Sequence, residues 1–115
     1  MIDDNKEITE MVCFFLESQN ISCKEVNDGK EGLERIRNEK FDVILLDLTM
    51  PDYSGYDIFN DLKQENLLKQ NNIILFTASY IVDDDIKKMI EEGIKGIIKK
   101  PVSVDDIVRI IEEFK

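Results

Sequence analysis

The sequence predicts an α/β fold in which a parallel sheet is covered by helices on both faces. Residues 41–47 and 72–77 are almost continuously apolar, as strands buried on both sides of the pleat must be. Strand-like and helical stretches alternate five times along the chain, the pattern of βαβ units with right-handed crossovers. The stretches between the runs carry apolar residues at helical spacing, bounded by capping residues and glycines.

Only Met1 and Ile2 precede the acidic pair Asp3-Asp4, so the first strand is very short. From Asn5 onward Ile8, Met11, Val12, Phe15 and Leu16 form one apolar stripe, with Asp4 or Asn5 as the N-cap and Asn20 as the terminator. Residues 21–26 read as a second strand, and Asn27-Asp28-Gly29 as a turn. A short helix over 30–38 turns only Leu33 and Ile36 inward. After the third strand, 41–47, Ser54-Gly55-Tyr56-Asp57 is a capping box that opens a helix burying Ile58, Phe59 and Leu62. The fourth strand, 72–77, leads to a helix capped by Asp83, carrying Ile86, Met89 and Ile90 inward and ended by Gly93. Residues 96–99 form a short fifth strand. Ser103 and Asp106 then make a second capping box before a helix with Ile107, Ile110, Ile111 and Phe114 inside.

At 115 residues the chain is expected to be one domain, 1–115, with a core large enough to need no staples. A net charge of −10 argues against direct binding to nucleic acid or an anionic membrane, both of which need a basic footprint. No apolar run approaches the ~20 residues of a membrane span, and the N-terminus does not read as a signal peptide. Cys13 and Cys23 lack metal-ligand spacing and the chain has no histidine, which argues against zinc. The two cysteines are expected to be reduced thiols of a cytoplasmic protein.

Parallel strands share an edge at their C-terminal ends, where open α/β sheets bind ligands. Asp3 and Asp4, Asp47, Thr77 and Lys100 all stand at such ends. Singly, each has a plainer reading: Asp47 as a turn-initiating aspartate, Asp3-Asp4 as a helix cap, Lys100 as a solvated strand-end lysine. Jointly they describe a crevice with three carboxylates, which repel one another unless a cation binds. Mg²⁺ suits hard oxygen ligands with room left for water and a phosphate oxygen. Lys100 and Thr77 would answer the remaining charge of a phosphoryl group, and Asp47 can act as a nucleophile toward phosphorus. The Asp83-Asp84-Asp85 run, by contrast, reads as capping and solubility.

The succession Ile2-Asp3-Asp4-Asn5, Asp47-Leu48-Thr49-Met50-Pro51 with Gly55, Thr77-Ala78 and Lys100-Pro101 resembles the receiver domain of two-component response regulators. The resemblance spans nearly the whole chain. It implies a flavodoxin-like (βα)5 three-layer sandwich whose five-stranded parallel sheet has the order 2-1-3-4-5, with the first and fifth helices on one face and the others opposite. It also implies that Asp47 accepts a phosphoryl group from a sensor histidine kinase or a phosphotransfer protein. Asp4 and Asp47 would bind Mg²⁺ directly, Asp3 largely through water, and Thr49 through its backbone carbonyl. Thr77, Lys100 and the Ala78 backbone N–H would contact the phosphoryl group, and the Lys100–Pro101 peptide bond would be cis. Phosphorylation would then bias the face of the fourth helix, fifth strand and fifth helix toward a downstream effector protein. A homodimer through that face is left open. In this reading the chain is a phosphoacceptor that assists its own phosphorylation and dephosphorylation rather than an enzyme.

Two departures from the family pattern stand out. Ile97 occupies the place of a common aromatic switch residue, and a β-branched side chain has few rotamers, so switching through Thr77 and the backbone is expected. The stub of the first strand would leave a mid-sheet defect and marginal stability unless residues preceding Met1 complete it. Whether the segment stands alone or is excised from a larger protein is also left open. A haloacid-dehalogenase-like phosphatase is a weaker alternative, since Thr49 stands where that chemistry needs an acid. An FMN site would be repelled by Asp3-Asp4. A phosphorylation-independent scaffold on the same fold is the third alternative.

Overall fold

A computed structural model describes residues 1–48, 50–77, 83–99 and 103–114. Five helices and three strands follow one another: α1 (Lys6–Ser18), α2 (Gly29–Asn38), β1 (Ile44–Asp47), α3 (Gly55–Gln64), β2 (Ile73–Thr77), α4 (Asp83–Glu92), β3 (Gly96–Lys99) and α5 (Val104–Phe114). The caps are local chemistry. The Asn5 carboxamide oxygen accepts from the Glu7 and Ile8 amides at the start of α1, and Asp28 accepts from Glu31 at the start of α2. Ser54 and Asp57 close a reciprocal capping box on α3. Asn20, at φ 63, leaves α1 through the left-handed region, and Gly93, at φ 140, ends α4. Asp83 lies inside α4 as its first residue.

The strands are parallel in the order β1-β2-β3, with Asp47 opposite Phe76 and Thr77 opposite Lys99. Successive residues of β1 and β2 face opposite sides, which divides the interior into two cores. Ile44, Leu46, Ile73 and Leu75 pack with Leu33 and Ile36 of α2, Ile58 and Leu62 of α3, and Met89 of α4. Leu45, Ile74, Phe76 and Ile98 pack with Val12 and Leu16 of α1 and Ile107 and Ile111 of α5. The result is a sheet between two helical layers.

The expected five-stranded sheet in the order 2-1-3-4-5 is not seen: the sheet among the described residues has three strands. Residues near the N-terminus contribute single parallel bridges instead, from Ile2 to Val26 and from Ile2 to Leu46. Ile2 donates to Leu45 O at 2.8 Å and accepts from Asp47 N at 2.9 Å, while Val26 N donates to Met1 O at 2.9 Å. The reason is length. Met1 and Ile2 supply one ladder step beside Val26, and among the described residues the 21–25 segment forms no bridge of its own. A cavity of about 300 Å³ remains there, lined by Met1, Leu16, Ile21, Val43, Leu45 and Ile111 among others, near the strand starts and away from the carboxylates.

Two further expectations are corrected. Cys13 and Cys23 are joined in a disulfide rather than held as separate thiols, because the turn after α1 brings their Cα atoms to 5.2 Å. Ile90 is 44% exposed rather than inward, since the core of α4 is filled by Ile86 and Met89.

The α-amino group of Met1 donates to Lys24 O at 2.8 Å. Met1 is half-buried, and desolvation lowers the pKa of its amine from 8.0 to about 6, partly opposed by Glu25. For a polypeptide beginning at Met1 the unfolded state therefore holds the proton more tightly than the folded state. Stability should rise as pH increases from about 6 to 8, by at most ~2.7 kcal/mol. Urea denaturation across that range should show the rise, and N-terminal acetylation should remove it.

Candidate functional site

Three backbone hydrogen bonds bring the acidic loop and the end of β1 together. Asp47 N donates to Ile2 O, Ile2 N donates to Leu45 O, and Asp3 N donates to Val26 O at 3.0 Å. Asp3 and Asp4 thus arrive beside Asp47 at the C-terminal edge of the sheet. One carboxylate oxygen from each of Asp3, Asp4 and Asp47 lies within 4.8 Å of the others. Asp3 and Asp47 are each 1% exposed, whereas Asp4 is open to solvent. Asp3 Oδ1 accepts from Asn5 N at 2.9 Å, at the N-terminus of α1, where the helix dipole favours negative charge.

Two buried carboxylates and a third, solvent-exposed one bring three acids together at this edge. Its donor set is all hard oxygen, with neither thiolate nor imidazole. Such a set fits a divalent cation of the Mg²⁺ or Ca²⁺ class, which would offset the mutual repulsion.

Thr77 ends β2 fully buried, one residue beyond the level of Asp47. Ile97 is half-buried on β3, opposite Leu75. Thr49, Ala78, Lys100 and the Lys100–Pro101 bond lie outside the described residues. The loop after β1 is shaped by Gly55, whose amide donates to Leu48 O at 3.1 Å. A Cβ on Gly55 would come within 2.2 Å of Asp47 O and 2.7 Å of Leu48 Cα.

A polar contact that sequence reasoning missed borders the cluster. Asn27 Nδ2 donates to Asp3 O and to Thr9 Oγ1, both at 2.9 Å. Thr9 is fully buried, and its hydroxyl donates to Lys6 O at 3.1 Å. In the sequence Asn27 reads only as part of a turn. The one available signal was Thr9, a hydroxyl beside the apolar stripe of α1.

Residues 1–112 match the family model of the response regulator receiver domain. The chain belongs to that family. Among its relatives, the phosphate regulon transcriptional regulatory protein PhoB of Escherichia coli (strain K12) is 30% identical over 112 residues, 97% of this chain and 48% of that protein. The probable transcriptional regulatory protein TcrX of Mycobacterium tuberculosis is 30% identical over 108 residues, 94% of this chain and 45% of its own length. The chain therefore spans about half the length of these curated relatives. A CheY-like receiver domain crystal structure from Methanospirillum hungatei JF-1 superposes with a TM-score of 0.85 at 27% identity, covering 97% of this chain and 87% of that one. Receiver domains bind a divalent metal at an acidic pocket, and Asp3, Asp4 and Asp47 form an acidic cluster in this one. Among the described residues no helix is long and apolar enough to cross a membrane.

Because the atoms a Gly55 side chain would meet are backbone, they can yield only by displacing the Asp47 loop. Gly55→Ala should cost about 2–3 kcal/mol in denaturant unfolding. Metal-dependent stabilisation should weaken along with it, since the displaced carbonyl belongs to Asp47.

Proposed function

We propose that this receiver domain is a phosphorylation-dependent signalling switch in which Asp47 is the phosphoacceptor. The observation that carries the reading is the placement of the Asp47 carboxylate at the end of β1, buried and beside those of Asp3 and Asp4. A lone aspartate at a strand end has no need of two like charges at its side. A phosphoacceptor that shares a cation with its donor's phosphate does.

Asp3, Asp4 and Asp47 would hold the cation, with the Thr49 carbonyl as a further oxygen ligand. When bound, Mg²⁺ supplies positive charge for the carboxylates and the phosphoryl oxygens. An Asp47 carboxylate oxygen attacks phosphorus in line as the N–P bond of a phosphohistidine on a sensor histidine kinase or phosphotransfer protein breaks. The leaving imidazole takes up a proton, and an acyl phosphate remains on Asp47. Little covalent assistance is required, so positioning and electrostatics dominate. Thr77, Lys100 and the Ala78 backbone N–H are assigned to the phosphoryl oxygens. The chain acts as a phosphoacceptor rather than as a turnover enzyme.

Movement of Thr77 toward the acyl phosphate would bias two packings of the region around β2 and α4, and so alter the face formed by α4, β3 and α5. That face is assigned to a downstream effector protein, or to a second copy of the chain, in the cytoplasm. Ile97 has few rotamers, which favours small backbone shifts over a ring swing. Structures with and without a beryllofluoride phosphate mimic should therefore show Ile97 in one rotamer; a large change would count against this route.

Incubation with Mg²⁺ and acetyl phosphate should add one phosphoryl group by intact mass, located on Asp47. Asp47→Asn, or chelation of the metal, should abolish it. Phosphate on another residue would overturn the assignment. Mg²⁺ at a hundredfold excess over its dissociation constant should also stabilise the fold by ~2.7 kcal/mol. Asp4→Ala, at an exposed rim position, should lose most of that increment and keep the metal-free stability.

A further inference from the structure

Residues 26 and 27 grip Asp3 from two directions. The Val26 carbonyl accepts from the Asp3 amide at 3.0 Å, and the Asn27 side chain donates to the Asp3 carbonyl at 2.9 Å. In a longer strand, ladder bonds would hold the backbone of Asp3. Here the ladder stops after a single bridge, and a side chain takes over. The remaining amide proton of Asn27 goes to Thr9 Oγ1, buried on α1. One carboxamide thus ties the acidic loop to the first helix.

The direction of every bond in this chain is determined. The Asp3 carbonyl can only accept, so the nitrogen of the carboxamide must face it. The Thr9 hydroxyl spends its single proton on Lys6 O, so it too accepts from Asn27. Position 27 therefore requires a side chain with two donor hydrogens on one atom. Aspartate, of the same shape, has none and would set a carboxylate against two acceptors.

We infer that Asn27 is a positioning residue for the cation site, holding the backbone of Asp3 so that its carboxylate stays within reach of Asp4 and Asp47. The inference rests on the reading of Asp3 as part of that site. Partners that orient a ligand from behind typically change metal affinity 10- to 100-fold when removed.

Asn27→Asp separates positioning from electrostatics because the two predict opposite signs. Extra negative charge beside the cluster, acting alone, would tighten Mg²⁺ binding. Loss of the two donors should weaken it about 10-fold. The measurements are Mg²⁺ titration by calorimetry on the 115-residue chain, and thermal unfolding in EDTA and in saturating Mg²⁺. A merely structural role would lower both unfolding temperatures together, whereas a positioning role narrows the gap between them. Thr9→Val, which keeps the bond from Asn27 to Asp3 and removes the anchor behind it, should weaken Mg²⁺ a few-fold. It decides the matter should Asn27→Asp fail to fold. Equal or tighter binding by Asn27→Asp, or unchanged binding by Thr9→Val, would overturn the inference. Absence of Mg²⁺ binding by the unmodified chain would overturn the site reading beneath it.

Discussion

The hydrogen bond from the Asp47 amide to the Ile2 carbonyl is the constraint on which the site depends. It is one of four backbone contacts that hold the Met1–Asp3 stub between Val26 and β1. Through it, a carboxylate that ends one segment and two that end another reach the same edge. Were that stub to slip, Asp3 and Asp4 would leave the sheet, and the acidic cluster around Asp47 would come apart. The chemistry therefore rests on the least extensively paired part of the parallel core.

That economy explains why side chains supplement the backbone around the acidic loop. The Asp3 carboxylate takes the Asn5 amide, Asn5 in turn caps α1, and Asn27 holds the Asp3 carbonyl. Each is a local polar contact of about 1 kcal/mol net. Their value lies in direction more than in stability, because a cation site needs its oxygens aimed before the cation arrives. The same reasoning accounts for Gly55. Its missing Cβ lets α3 begin against the Asp47 carbonyl, so the loop beyond β1 is packed from behind.

Burial and charge oppose one another at this edge. Asp3 and Asp47 are as buried as the leucines of β1, yet both are acids. Apolar packing lies beneath them, from Leu45 and Leu46 to Phe76. In the proposed reading, a divalent cation and a phosphoryl group are the partners that such a cluster of acids would take.

The caps at Asn5 and Ser54, the apolar runs and the alternation of elements were legible in the residues themselves, because Asn5 and Ser54 act on amides two or three positions away. The parallel sheet and the identity of its acidic edge followed from the same local signals, since strand direction alone sends Asp47 and Thr77 to one side. The number of strands did not follow. Residues 21–26 have strand character, but a strand exists only where another backbone lies alongside, and Met1 and Ile2 provide a single step. The Cys13–Cys23 disulfide, the exposure of Ile90 and the grip of Asn27 on Asp3 were equally hidden. Each is a contact between segments far apart in the chain or a competition for space in a shared core, and only the folded arrangement decides which partner wins.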